Sequence, residues 1–191
     1  YLGIGKKLGN LRHHNLFFDE DFGPHAHEIY TDPKWPAKPL FYVSAPSVTD
    51  ASVAPDDCEN LFVLMPVAPD LEDTEELRER YYNLIMDRLE YLTKQDVRSA
   101  VVFKRTYAHR DFMSDYNAFK GNAYGLANTL LQTALLKPSL KSKKVKNLYY
   151  AGQLTVPGPG VPPSLISGQV VAKEVAKDYA LAPGQRLPVS N

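Results

Sequence analysis

The chain has 191 residues, 44% of them hydrophobic, and its 22 Lys and Arg balance its 22 Asp and Glu. That length allows one domain with a core of its own and a small appendage, and the balanced charge excludes a global field that would favour nucleic acid or a strongly acidic partner. The single cysteine, Cys58, excludes an intrachain disulfide and fits a reducing, cytoplasmic setting. No run approaches the roughly 18 apolar residues of a membrane-spanning helix, so any membrane contact is expected to be peripheral, or made by other parts of a longer chain.

Taken in order, the glycines Gly3, Gly5 and Gly9 invite comparison with a dinucleotide fingerprint, but the third comes one place late and strand-like residues follow. They are read as turn residues before a strand at residues 13–18. His13 and His14 are adjacent, and adjacent strand residues face opposite sides, so the pair is not expected to share an ion. His25 and His27 lie in a charged stretch, residues 19–32, read as a short exposed helix, and no metal site is assigned. Proline punctuates residues 32–39 and makes them irregular. Strands follow at residues 40–45 and 61–67, apolar on nearly every residue, a pattern of ordinary core or of one face on the core and the other on a greasy cavity.

Asp73 and Glu76 are read as a capping-box-like pair that starts the clearest helix, in which Leu77, Tyr81, Leu84, Ile85, Leu89 and Leu92 recur at helical spacing. Charged residues, Arg78 among them, occupy the rest of its circumference and predict a solvated face. A strand is expected at residues 97–106. Residues 116–126 then mix two glycines with aromatics and amides, which suits a loop that comes close to a flat ligand, with Phe119 and Tyr124 supplying stacking faces, or a loop that simply covers the core. A helix-like run at residues 127–136 ends at Lys137-Pro138, and the basic residues 141–146 read as a solvated turn. Residues 147–151 make a short apolar strand, Gly152 permits a sharp turn or close approach to a ligand, and Pro162 and Pro163 suit the first turn of a helix reaching about Tyr179. Leu165, Gly168, Ala172, Val175, Ala176 and Tyr179 form the apolar side of that helix. Its N-terminus offers backbone N–H groups and partial positive charge, a common resting place for anionic or electron-rich cofactors. The tail at residues 183–191 reads as frayed.

The run NLYYAGQLTVPGPGVPPSLISGQVVA, residues 147–172, resembles the C-terminal flavin-contacting motif of the bacterial phytoene desaturases, the FAD-dependent carotenoid desaturase and oxidase family. His13-His14-Asn15-Leu16-Phe17-Phe18, Phe41-Tyr42-Val43-Ser44-Ala45-Pro46-Ser47, the Ala54-Pro55 turn before Glu59-Asn60-Leu61-Phe62-Val63-Leu64, and Asp115-Tyr116-Asn117-Ala118-Phe119-Lys120-Gly121 resemble the same family in the same order. The resemblance covers almost the whole chain, and it is specific to the family rather than to one carotenoid.

What it implies is the C-terminal portion of an α/β (α+β) two-domain FAD-dependent oxidoreductase. Residues 1–140 would belong to a mixed-sheet substrate domain, and residues 141–182 would be the strand-turn-helix of the flavin domain. The missing fingerprint would lie in an upstream half of the same chain, and the 191 residues alone would be inactive. The implied reaction removes hydrogen from a C–C bond beside a double bond in a long apolar polyene, as hydride to the flavin and a proton. Carried over singly, Gly152 and Gln153 would approach the ribityl and phosphate region, Gly160, Val161, Pro162 and Leu165 would lie beneath the isoalloxazine ring, and Phe119 and Tyr124 would contact substrate. Many related flavoproteins have an acid where this chain has Gln153. The catalytic acid or base stays unassigned, with His109 and Asp111 as marginal candidates. Alternatives are another carotenoid desaturase, isomerase or oxygenating enzyme of the superfamily, or a non-catalytic lipid- or carotenoid-binding module.

Overall fold

The structure, a computed structural model, describes residues 1–127, 132 and 136–179. The chain divides into two compact units, residues 1–122 and residues 123–191.

In the first unit five strands, β1 (Leu2–Ile4), β2 (His14–Phe17), β3 (Phe41–Ser44), β4 (Glu59–Leu64) and β5 (Val101–Lys104), form one sheet in the order β2-β3-β4-β1-β5. Every pairing is antiparallel, so the sheet is not mixed as the sequence reading expects; hydrophobic patterning marks strands but not their direction. Three helices accompany it, α1 (Phe22–Tyr30), α2 (Glu75–Thr93) and α3 (His109–Tyr116).

Register decides which residues meet, because side chains alternate faces along each strand. Leu2 pairs with Leu61, Phe17 with Phe41 and Val43 with Val63, so these share one face with Ile4. Ile85, Met86 and Leu89 of α2 pack into the same cluster. Ile4, Val43 and Leu89 have no exposed surface, and each such side chain contributes about 1.5–3 kcal/mol of burial. Glu59 also points to this face; its carboxylate accepts from Ser47 Oγ and lies 3.7 Å from Lys7 Nζ, which compensates its burial.

Several local expectations are corrected. Helix α1 is not simply exposed, since His25 and Glu28 are buried. His25 accepts from Leu40 N at 3.0 Å and donates to Pro66 O at 2.8 Å, while Glu28 accepts from Ala37 N at 3.1 Å. The proline-rich segment lacks ladder partners, so side chains of α1 satisfy its backbone. The cap of α2 is Thr74, whose Oγ1 accepts from Leu77 N at 3.2 Å. Asp73 is engaged elsewhere: it accepts from Arg78 Nε and Nη2, both at 2.7 Å, and from Arg110 N at 2.9 Å. Arg78 is therefore not on the solvated face; its side chain is 9% exposed and also donates to Asp111 at 2.7 Å. Strand β5 is shorter than expected, because a 3-10 turn occupies Arg98–Ala100. Helix α3 fills a stretch without an assigned element, started by Asp111, which accepts from Ala108 N at 2.8 Å.

In the second unit the strand expected at residues 147–151 is reduced, among the described residues, to a bridge between Lys141 and Tyr149. Asn147 has a left-handed φ of 62°, and only residues 140–142 offer a ladder. Helix α4 (Val161–Asp178) matches the expected helix closely. Ser167 is its buried residue, whereas Leu165, Gly168, Ala172 and Tyr179 are exposed, so the apolar side read from the sequence lies open. The helix-like run at residues 127–136 lies mostly, and the tail at residues 183–191 wholly, outside the described residues.

Candidate functional site

The loop before α4 is held by hydroxyl groups. Ser167, with no exposed surface, accepts from Gly152 N at 2.6 Å and donates to Ser164 O at 2.7 Å. Thr155, 2% exposed, donates through N and Oγ1 to Gly152 O, at 3.1 and 2.9 Å. Gly152 is thus fixed on its inner side, while its outer side is open: its φ is +106° and a Cβ there would meet nothing within 4 Å. Gly160 caps α4 with φ +112° and no side-chain cap. The first turn carries no acid, and Pro162 and Pro163 supply no N–H, so the helix start offers a bound group Val161 N and the dipole of its aligned peptides, without a competing carboxylate. Val161 and Leu165 are largely exposed beside it. An open glycine backbone, an uncapped positive helix end and bare apolar side chains fit a flat, electron-rich group.

The structure therefore brings Gly152, Gln153, Gly160, Val161, Pro162 and Leu165 together on one unit. Tyr124 belongs to the same unit, and its neighbour Gly125 packs so near the loop that a Cβ there would lie 2.5 Å from Leu154 Cδ2. Phe119 belongs to the first unit, in a 3-10 turn at Phe119–Gly121; both rings are largely exposed. Of the marginal acid-base candidates, His109 is buried and donates from Nε2 to Ala68 O at 2.7 Å, and Asp111 is bound to Arg78. Ser167 and Thr155 are not singled out by the sequence reading; the signal available was the Ser164-x-x-Ser167 spacing one turn into the helix.

The first unit offers a second surface. Opposite the core, the sheet presents Leu16, Tyr42, Phe62, Leu64 and Phe103, placed on one side by the pairs Leu16 with Tyr42, Tyr42 with Leu64, and Gly3 with Phe103. Leu16 is 66% and Phe103 56% exposed, and Tyr42, Phe62 and Leu64 are half-buried. The same face carries His14, Ser44 and Asn60, so it combines exposed apolar and aromatic side chains with a few polar ones. A pocket of about 160 Å³ between Trp35, Val63, Met65, Tyr82 and Met86 is smaller than the roughly 300–1,000 Å³ of sites that enclose drug-sized ligands. It does not enclose a long polyene by itself.

His13 and His14 approach more closely than strand alternation suggests, with ring centroids 4.2 Å apart, because His13 lies outside β2. Among the described residues no group of three His, Cys, Asp or Glu side chains could hold a metal ion, and no helix is long and apolar enough to cross a membrane.

No protein-family model matches the chain. Curated relatives do. The chain is 43% identical over 180 residues to a carotenoid 3,4-desaturase of Haloarcula japonica, covering 94% of this chain and 36% of the relative. It is 37% identical over 186 residues to a 4,4'-diapophytoene desaturase of Staphylococcus haemolyticus, covering 93% and 37%. It is 32% identical over 181 residues to a zeta-carotene-forming phytoene desaturase of Myxococcus xanthus, covering 92% and 34%. The chain is thus similar over nearly its whole length to proteins named as carotenoid and phytoene desaturases, and it spans about a third of the length of the relatives it matches.

Proposed function

We propose that the chain works as part of a longer FAD-dependent carotenoid desaturase, in which the second unit holds the flavin and the open face of the first unit's sheet forms part of the wall for the polyene. The observation that carries this reading is that a chain similar to carotenoid desaturases has both an open glycine loop at an uncapped helix start and a sheet face with exposed apolar side chains. Gly152 and Gln153 would hold the ribityl and phosphate region, and Gly160, Val161, Pro162 and Leu165 would support the ring. Bound there, FAD supplies a two-electron acceptor for hydrogen drawn from a C–C bond. The positive end of α4 favours negative charge beside it. Leu16, Tyr42, Phe62, Leu64 and Phe103 would keep water from the polyene and orient it, with Phe119 and Tyr124 as further contacts.

Of the three substrate types named among the relatives, the higher identity to the 3,4-desaturase favours a carotenoid other than phytoene or diapophytoene. The test is to express the full-length protein in cells that accumulate phytoene and, separately, in cells that accumulate a more desaturated carotenoid. New double bonds in either support the reading and choose the substrate. A polyene bound without flavin and without new double bonds returns the protein to a binding module.

A further inference from the structure

Residues 140–150 form a short antiparallel hairpin: Ser142 N donates to Leu148 O and Tyr150 N to Leu140 O, both at 2.9 Å, around the bridge of Lys141 with Tyr149. Its base is fastened to the last turns of α4. Lys141 Nζ lies 2.7 Å from Asp178 Oδ1 and 2.8 Å from Glu174 Oε2, and Tyr149 OH donates to Asp178 Oδ2 at 2.6 Å. Its tip is shaped by Ser142 Oγ, which accepts from Lys144 N at 3.2 Å and Val145 N at 3.0 Å.

The tip carries Lys143, Lys144 and Lys146, all exposed, and among the described residues none has an ion-pair partner; Lys141 alone of the run is paired. Val145, 54% exposed, stands between them, and Leu148, 40% exposed, follows. Lys173 and Lys177 flank Glu174 and Asp178 on α4, so the local balance stays positive although the whole chain is neutral.

We propose that this hairpin tip docks the protein on an anionic lipid surface. Three unpaired lysines on a fixed tip match the negative potential of acidic headgroups, and an apolar side chain among them suits the boundary between headgroup and acyl chain. A nucleic-acid site would instead call for a wider basic field with stacking groups. The proposal rests on the carotenoid reading, since a long hydrocarbon polyene partitions out of water into bilayers and an enzyme that acts on it must meet a bilayer.

The experiment is co-sedimentation of the full-length protein with vesicles of phosphatidylcholine alone, or of phosphatidylcholine with phosphatidylglycerol. The triple variant Lys143→Gln/Lys144→Gln/Lys146→Gln is compared with Lys173→Gln/Lys177→Gln, after thermal melts show that both are folded. Wild type should prefer the anionic vesicles, lose that preference with added salt, and bind them about 100-fold less in the triple variant; the α4 variant should lose much less. Equal binding to both vesicle types, a triple variant within a few-fold of wild type, or lysine-dependent binding to DNA or an acidic protein in place of vesicles overturns the proposal. Vesicle binding is read without turnover, so a protein that desaturates carotenoid in detergent yet ignores vesicles refutes the docking alone, and one that docks without desaturating refutes only the catalytic reading.

Discussion

Replacing Arg78 with Met tests how the first unit is held together. The Arg78 side chain is 9% exposed and the Asp73 carboxylate 2%, and two 2.7 Å hydrogen bonds join them, with a third from Arg78 to Asp111. Removing the guanidinium leaves the buried carboxylate to Arg110 alone, whose N donates from 2.9 Å and whose Nε lies 3.9 Å away across a half-exposed side chain. Breaking one side of a buried ion pair costs about 3–5 kcal/mol. The double variant Arg78→Met/Asp73→Asn removes the buried charge, leaves only the part-exposed Asp111 without its partner, and should return most of that loss. The assay is equilibrium urea unfolding read through the single tryptophan, Trp35, which stacks on Tyr81 with ring centroids 4.8 Å apart. If Arg78→Met lies within about 1 kcal/mol of wild type, the pair behaves like a surface salt bridge and the reasoning is refuted.

The same network sets an acid limit. Burial pushes the Asp73 carboxyl up, but the hydrogen bonds and charge of Arg78, with the N–H of Arg110, outweigh it and hold the group below its ordinary value. A lowered folded pKa means that the contribution is complete above the ordinary carboxylate value of about 3.9 and is lost as pH falls through the folded value. Stability measured against pH should therefore drop on the acid side, and less steeply in Asp73→Asn. Gly121→Ala should cost about 2–5 kcal/mol, because φ is +66° and the new Cβ would lie 2.6–2.8 Å from His109 Cβ, Cα and O. Gly152→Ala meets no atom and should cost only the backbone strain, about 1–3 kcal/mol; comparison of the two melting temperatures checks the ranking. Ser167→Ala removes the acceptor for Gly152 N and should cost about 1–3 kcal/mol. In the full-length protein it should also speed flavin release, measured by the fluorescence of freed flavin.

The elements with strong periodicity or punctuation were legible. Helices α2 and α4 follow from their apolar spacing and, for α4, from the prolines of its first turn, and strands β2, β3 and β4 from short apolar runs. The cofactor candidates too stand on one loop and one helix start, as their nearness in sequence allows. What sequence did not give depends on distant partners. Asp73 looks like a cap until Arg78 and Arg110 claim it, and Arg78 looks solvated until Asp73 and Asp111 enclose it. Residues 147–151 have strand composition, yet a strand also needs a ladder, and among the described residues only residues 140–142 supply one. The runs at residues 40–45 and 61–67 are apolar on both faces and so allow a second apolar sheet face, but which residues share it follows from register.

The central claim is that the polyene delivers hydrogen to a flavin held by this chain's loop and helix. Its most direct test is anaerobic mixing of the full-length flavin-loaded protein with carotenoid, following flavin absorbance and product together. The account predicts bleaching of the flavin in step with one new double bond per flavin reduced, slowed in a variant that places a charge at Phe62. Double bonds that form without flavin reduction, or a flavin that stays oxidised with every carotenoid offered, would contradict it.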